Sequence, residues 1–155
     1  DDLLSTLTGA TESECVEYIE HTWLDPHFPP EHEAVLAELA ADHSLVLFSN
    51  MAAPWVEEVL REHDVWALFD SVLVSSDLER RKPHPRGYRR CVEGVDGDVV
   101  MVSDEFNEDL LMARCVGMTT VWIENDWEDP YQQPDYTIDS LDALPPILDE
   151  IEQDS

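Results

Sequence analysis

The chain has 155 residues, 43% of them apolar, with 36 acidic residues against 8 basic ones and a net charge of −28. That length supports one domain with a real core, and no run approaches the ~20 apolar residues of a membrane helix. A surface this acidic suits neither nucleic acid nor anionic lipid as a partner.

The acids are spread through segments that also carry apolar periodicity. The chain therefore reads as folded, and as belonging to a high-salt cytoplasm where self-repulsion is screened. No basic-then-apolar leader is present in these residues. The sequence opens on Asp1 rather than Met, as a piece of a longer product would. Cys15, Cys91 and Cys115 are widely spaced without a CxxC pair and sit among apolar neighbours. They read as reduced, buried packing residues.

In chain order, Val16, Ile19 and Trp23 recur at helical spacing and predict a helix over 12–23, capped by Thr11 or Ser13. Asp25-Pro-His-Phe-Pro-Pro30 breaks it. A helix over 31–42 follows, with Val35, Leu36 and Leu39 on one face. Leu45-Val-Leu-Phe48 is a continuous apolar run of the kind buried parallel strands show, and it ends in Ser49-Asn50. An amphipathic helix over 53–63 leads to a second strand over 71–75. A polar loop, Ser76 to Pro83, then precedes a helix over 85–93.

Asp98-Val-Val-Met-Val102 is the third strand, and a helix over 107–116 runs to Gly117, a C′ glycine. Thr119 to Ile123 is the fourth strand, the acidic stretch 124–134 is a surface loop, and Tyr136-Thr-Ile138 is a short fifth strand. A last helix over 140–151 is kinked or restarted by Pro145-Pro146. Alternating helices and continuous apolar strands predict an α/β fold, a three-layer, Rossmann-like parallel sheet.

Ligands of open parallel sheets sit beyond the carboxyl ends of the strands. There the sequence places Ser49 and Asn50 after the first strand, Lys82 across the loop after the second, and Asp104 with Asp109 after the third. A hydroxyl and an ammonium suit phosphoryl oxygens. Two carboxylates suit Mg²⁺, which keeps several waters. Lys82 is the chain's single lysine, the other seven cations being arginine, and a compact ammonium at this place points to function. Asp104 also reads as a helix cap and Asp109 as a first-turn acid. Glu105 and Glu108 read as solvated charges. His84 reads as structural or exposed, and His21, His27, His32, His43 and His63 make no metal-ligand spacing.

Taken in order, these segments resemble the haloacid-dehalogenase (HAD) superfamily of hydrolases over roughly residues 28–150. Leu45-Val-Leu-Phe-Ser49-Asn50 is similar to its second motif, Arg81-Lys82-Pro83-His-Pro85 to its third, and Val102-Ser-Asp104-Glu-Phe-Asn-Glu-Asp109 with Ala113 to Met118 to its fourth. The resemblance implies that Ser49 hydrogen-bonds the transferring phosphoryl group, with Asn50 assisting. It implies that Lys82 neutralises charge on the nucleophile and phosphate, that Asp104 holds Mg²⁺ and that Asp109 orients the ion or its waters. Ser103 stands where the family commonly has glycine, and Glu105 where it has a small polar residue.

The family's first motif, an aspartate nucleophile in a DxDxT context after an apolar strand, is not matched by Asp1-Asp2-Leu-Leu-Ser-Thr6. The expected organisation is a remnant of a helical cap over 1–27, then a core over 28–155 lacking its first strand. The expected parent is a Mg²⁺-dependent phosphatase acting on a small phosphate ester through an aspartyl-phosphate. Its partner would be a missing N-terminal segment or a second copy of the chain. Two alternatives stand: a metal-free 2-haloacid dehalogenase on the same scaffold, and a non-catalytic binding or assembly module if the chain is complete.

Overall fold

The computed structural model describes residues 11, 13, 14 and 30–154. The expected cap remnant and Cys15 therefore lie outside the described residues, apart from a fragment of the first helix. Ser13 and Glu14 are helical, and Thr11 caps them. Its hydroxyl accepts the Glu14 N–H at 3.3 Å, while its own N–H donates to Glu14 Oε2 at 2.7 Å, a capping box.

Helix α1 (Pro30–Asp42) leads into β1 (Val46–Ser49), α2 (Ala53–Glu62) and β2 (Ser71–Val74). The loop expected after β2 begins with a one-turn helix, α3 (Ser75–Leu78), and α4 (Pro85–Val92) follows. Then come β3 (Val100–Ser103), a π-helical turn at Phe106–Leu110, and α5 (Leu111–Cys115). The chain continues through β4 (Thr119–Ile123), β5 (Tyr136–Ile138) and α6 (Leu144–Asp154). Pro145 and Pro146 fall in the first turn of α6, where a missing N–H costs nothing, so the prolines restart the helix rather than bend it. Gly117 adopts a φ of +90° and ends α5 as expected. The Met118 N–H reaches Ala113 O and the Gly117 N–H reaches Arg114 O, each at 3.1 Å, which is the Schellman pattern.

All strand pairing is parallel, but it falls into two sheets: β1–β2, and β3–β4–β5. Side chains alternate across them. Leu47 of β1 packs with Val56 and Leu60 of α2. Val100 and Val102 of β3 and Val121 of β4 pack with Val35 and Leu39 of α1 and Ile151 of α6. The opposite face carries Phe48 and Met101, which pack together with Tyr88 of α4 and with Ala113 and Met118. This is the expected three-layer arrangement. One cluster thus spans β1 and β3, yet among the described residues each of these strands has a ladder partner on one edge only. Every other strand-to-strand step in the two sheets is hydrogen-bonded. Asn50 after β1 and Asp109 after β3 meet at Lys82, so the carboxyl ends of these two strands open onto the same side.

One expectation is corrected. Cys115 is exposed at the end of α5, while Cys91 is half-buried. The apolar neighbours of Cys115 in sequence belong to the inward face of a short helix whose last turn it leaves.

Candidate active site

The turn after β1 is built by side chains folding back on the backbone. Ser49 Oγ accepts the Met51 N–H at 3.0 Å, and Ser75 Oγ, just after β2, donates to Asn50 O at 3.1 Å. Asn50 then reaches 32 residues forward. Its Oδ1 accepts the Lys82 N–H at 2.7 Å, and its Nδ2 donates to Lys82 O at 3.4 Å. A carboxamide presents one donor and one acceptor side by side, which here meet the C=O and the N–H of one residue. Asn50 therefore fixes the backbone of Lys82. The Lys82–Pro83 peptide is cis. His84 Nδ1 accepts the Arg86 N–H at 3.2 Å and caps α4, so the histidine beside the lysine is structural.

The Lys82 ammonium crosses to the other sheet. Its Nζ donates to Asp109 Oδ2 at 2.5 Å and stands 5.4 Å from the Phe48 ring centroid, a cation–π contact. Phe48 is held edge-on by Tyr88 at 5.1 Å and 84°. Gly87 makes room for it: a Cβ there would lie 2.2 Å from Phe48 Cζ. The Tyr88 hydroxyl donates to Glu108 O at 3.2 Å, tying α4 to the turn that carries Asp109. Burial first, then the Asp109 carboxylate, pushes the Tyr88 phenol far above the usual tyrosine range.

Asp109 is buried in the π-helical turn, a geometry often found at functional sites. Its Oδ2 also accepts from Ser103 Oγ at 2.8 Å, whereas its Oδ1 is buried with no hydrogen-bond partner. A bare carboxylate oxygen in a buried site is costly unless a donor or cation meets it. Asp104 is exposed, and its backbone oxygen is pinned by Trp122 Nε1 at 3.1 Å and Asn125 Nδ2 at 2.7 Å. Burial, followed by the carboxylates of Asp109, Glu108 and Asp104, raises the Glu105 carboxyl above its ordinary value.

The loop after β4 is more than a surface excursion. Glu128 accepts the N–H groups of Phe106 at 2.5 Å and Asn107 at 2.8 Å. Asn107 returns two bonds, from Nδ2 to Asp129 O at 3.1 Å and from the Tyr131 N–H to its Oδ1 at 2.8 Å. The turn bearing Asp104 and Asp109 is thus clamped from two sides. Ser103, Asn125 and Glu128 are positioning groups that the sequence alone did not single out. Only Ser103 carried a signal, standing where glycine is common.

The site is thus a parallel α/β core in which a lysine, pinned between two strand ends, faces a buried acid. The family model for haloacid dehalogenase-like hydrolases matches residues 6–117. The chain belongs to that family. Mouse N-acylneuraminate-9-phosphatase is 28% identical over 127 residues, covering 77% of this chain and 51% of that protein. Phosphoserine phosphatase of Thermus thermophilus is 33% identical over 118 residues, covering 72% of this chain and 47% of that protein. The crystal structure of a HAD phosphatase from Thermococcus onnurineus superposes with a TM-score of 0.75 at 27% identity, covering 95% of this chain and 69% of that one. The chain spans about half the length of the curated relatives it matches.

Proposed function

We propose that this chain is the core part of a Mg²⁺-dependent phosphatase that hydrolyses a small phosphate ester through an aspartyl-phosphate. The observation that carries the reading is the Asn50–Lys82–Asp109 chain, which holds one ammonium between the ends of β1 and β3. Lys82 spends one N–H on Asp109, so two remain for phosphoryl oxygens. Ser49 accepts from the backbone and keeps its hydroxyl proton for another.

Asp104 and Asp109 are the residues that would hold Mg²⁺, and the unpartnered Oδ1 of Asp109 supports that fit. Among the described residues no set of three or more His, Cys, Asp or Glu side chains forms a fuller cage. Two carboxylates completed by water and substrate oxygens is the arrangement Mg²⁺ usually takes. Once bound, the ion would offset phosphoryl charge. The reacting carboxylate would come from a strand seated between β1 and β3. Their edges, unpaired among the described residues, and the absence of a DxDxT match in the sequence support that placement. On this reading residues 1–27 belong to a cap and 28–155 to the core.

The net charge of −28 supports a high-salt cytoplasm as the setting. Among the described residues no helix is long and apolar enough to cross a membrane. The midpoint of thermal unfolding should keep rising as KCl is raised well above ~0.15 M; a flat response would remove that setting.

The enzymatic reading is tested with a panel of small phosphate esters and 2-chloropropionate. The assay uses the chain together with the coding sequence upstream of Asp1. Phosphate release that EDTA abolishes is expected. Halide release that survives EDTA would replace the phosphatase with a dehalogenase.

A further inference from the structure

The chain's cations are concentrated in one place. Arg80, Arg81, Lys82, Arg86, Arg89 and Arg90 are six of its eight basic residues, they fall within eleven positions, and no acid interrupts them. An even distribution would place no more than one there. Lys82 turns inward to Asp109, while all five arginines are exposed. Arg86, Arg89 and Arg90 of α4, with Leu78 of α3 and Glu93, line an open concavity of about 570 Å³. None of these residues belongs to the site at Lys82. Among the described residues Arg86 is paired loosely with Glu79, at 3.9 Å, and Arg90 closely with Glu93, at 2.5 Å. Both pairs are largely exposed and add little stability. Fold stability therefore does not explain why three guanidinium groups converge on an otherwise acidic molecule.

We propose that this concavity is a second anion site, for a small ligand carrying several phosphate-type charges. Two physical arguments select that class. First, a single carboxylate would only repeat what Glu93 already offers Arg90, whereas a compact polyanion can engage three guanidinium groups at once, each in a bidentate manner. Second, a large acidic partner would bring its whole face against a molecule of net charge −28. A small anion instead fits inside the patch, within a screening length of ~8–10 Å, and meets mainly the local positive field. The volume lies in the range of small-ligand sites, and Leu78 with the arginine stems supplies the apolar wall.

The test is calorimetric titration with inorganic tripolyphosphate, without divalent cations, at two KCl concentrations. One equivalent should bind, more weakly at the higher salt. The combined change Arg86→Gln, Arg89→Gln and Arg90→Gln should weaken binding about tenfold or more. Lys82→Ala should leave it within about twofold, because that lysine faces the other site. If the triple variant fails to fold, Arg89→Gln alone is measured, with a loss of about threefold expected. Four results would overturn the proposal: no binding by the unaltered chain, binding unaffected by the arginine changes, binding lost on Lys82→Ala, or tighter binding of a poly-glutamate peptide. The last two would assign the anion to the reaction site and the patch to an acidic protein, respectively.

Discussion

Replacing Lys82 by methionine removes one charge from a pair whose side chains are only 10% and 5% exposed. Such exposure separates two regimes. An exposed ion pair contributes about 0–1 kcal/mol, whereas removing one member of a buried pair costs about 3–5 kcal/mol, because the other charge is left without compensation. In Lys82→Met the Asp109 carboxylate would keep a single hydrogen bond, from Ser103, and its Oδ1 has no partner at the outset. The expected loss is about 3 kcal/mol, the low end of the range, since the Ser103 hydroxyl remains. Adding Asp109→Leu should return the protein to within about 1 kcal/mol of the original, because a well-packed apolar pair replaces a buried ionic one at little cost. Urea unfolding followed by tryptophan fluorescence measures all four corners of this cycle. Repeating it at a second KCl concentration should leave the coupling unchanged, since salt screens exposed pairs and not buried ones. A loss below about 0.5 kcal/mol for Lys82→Met would place the pair in the exposed regime and refute the account of a buried, positioned ammonium.

Gly87→Ala would put a Cβ 2.2 Å from Phe48 Cζ and force the ring that lies under Lys82 to move; urea unfolding should show a loss of about 1–3 kcal/mol, and a neutral result would mean that the ring is free to shift. Glu128→Gln keeps one acceptor and loses the charge shared by the Phe106 and Asn107 N–H groups. A cost of about 1–2 kcal/mol and faster hydrogen exchange at those two amides are expected, and unchanged exchange would show that the clamp holds nothing. Tyr88 holds its proton more tightly folded than unfolded, so its contribution to stability is complete below the ordinary value of 10.0 and is lost as pH climbs beyond it. The ultraviolet difference between the parent and Tyr88→Phe should show no phenolate before unfolding; a Tyr88 phenolate near pH 10.0 in the folded protein would contradict its burial.

The strands were legible because each is a continuous apolar run, and residues flanking such runs at their carboxyl ends must converge once the strands are parallel. That logic puts Lys82 and Asp109, which the structure joins, at neighbouring strand ends. It missed what depends on long-range pairing. Asn50 meets a peptide 32 residues away, and nothing local to either segment announces that match. Glu128 is one of 36 acids, and composition gives no reason to prefer it. Periodicity predicts a uniform helix after β3, because it does not register one extra residue. The structure opens it into a π turn, with the Leu111 N–H reaching Phe106 O, and Phe106, Asp109 and Leu110 are buried there. The split into two sheets was equally hidden, since strand order is set by pairing partners and not by pattern.

On the proposed reading, Lys82 and its companions serve a carboxylate that residues 30–154 do not supply. That reading is tested most directly by comparing p-nitrophenyl phosphate hydrolysis, with Mg²⁺, by the 155-residue chain and by a version extended through its upstream coding sequence. No turnover is expected from the shorter chain, and from the longer one turnover that Lys82→Ala abolishes. Mg²⁺-dependent turnover by the 155 residues alone, lost on Lys82→Ala, would contradict it.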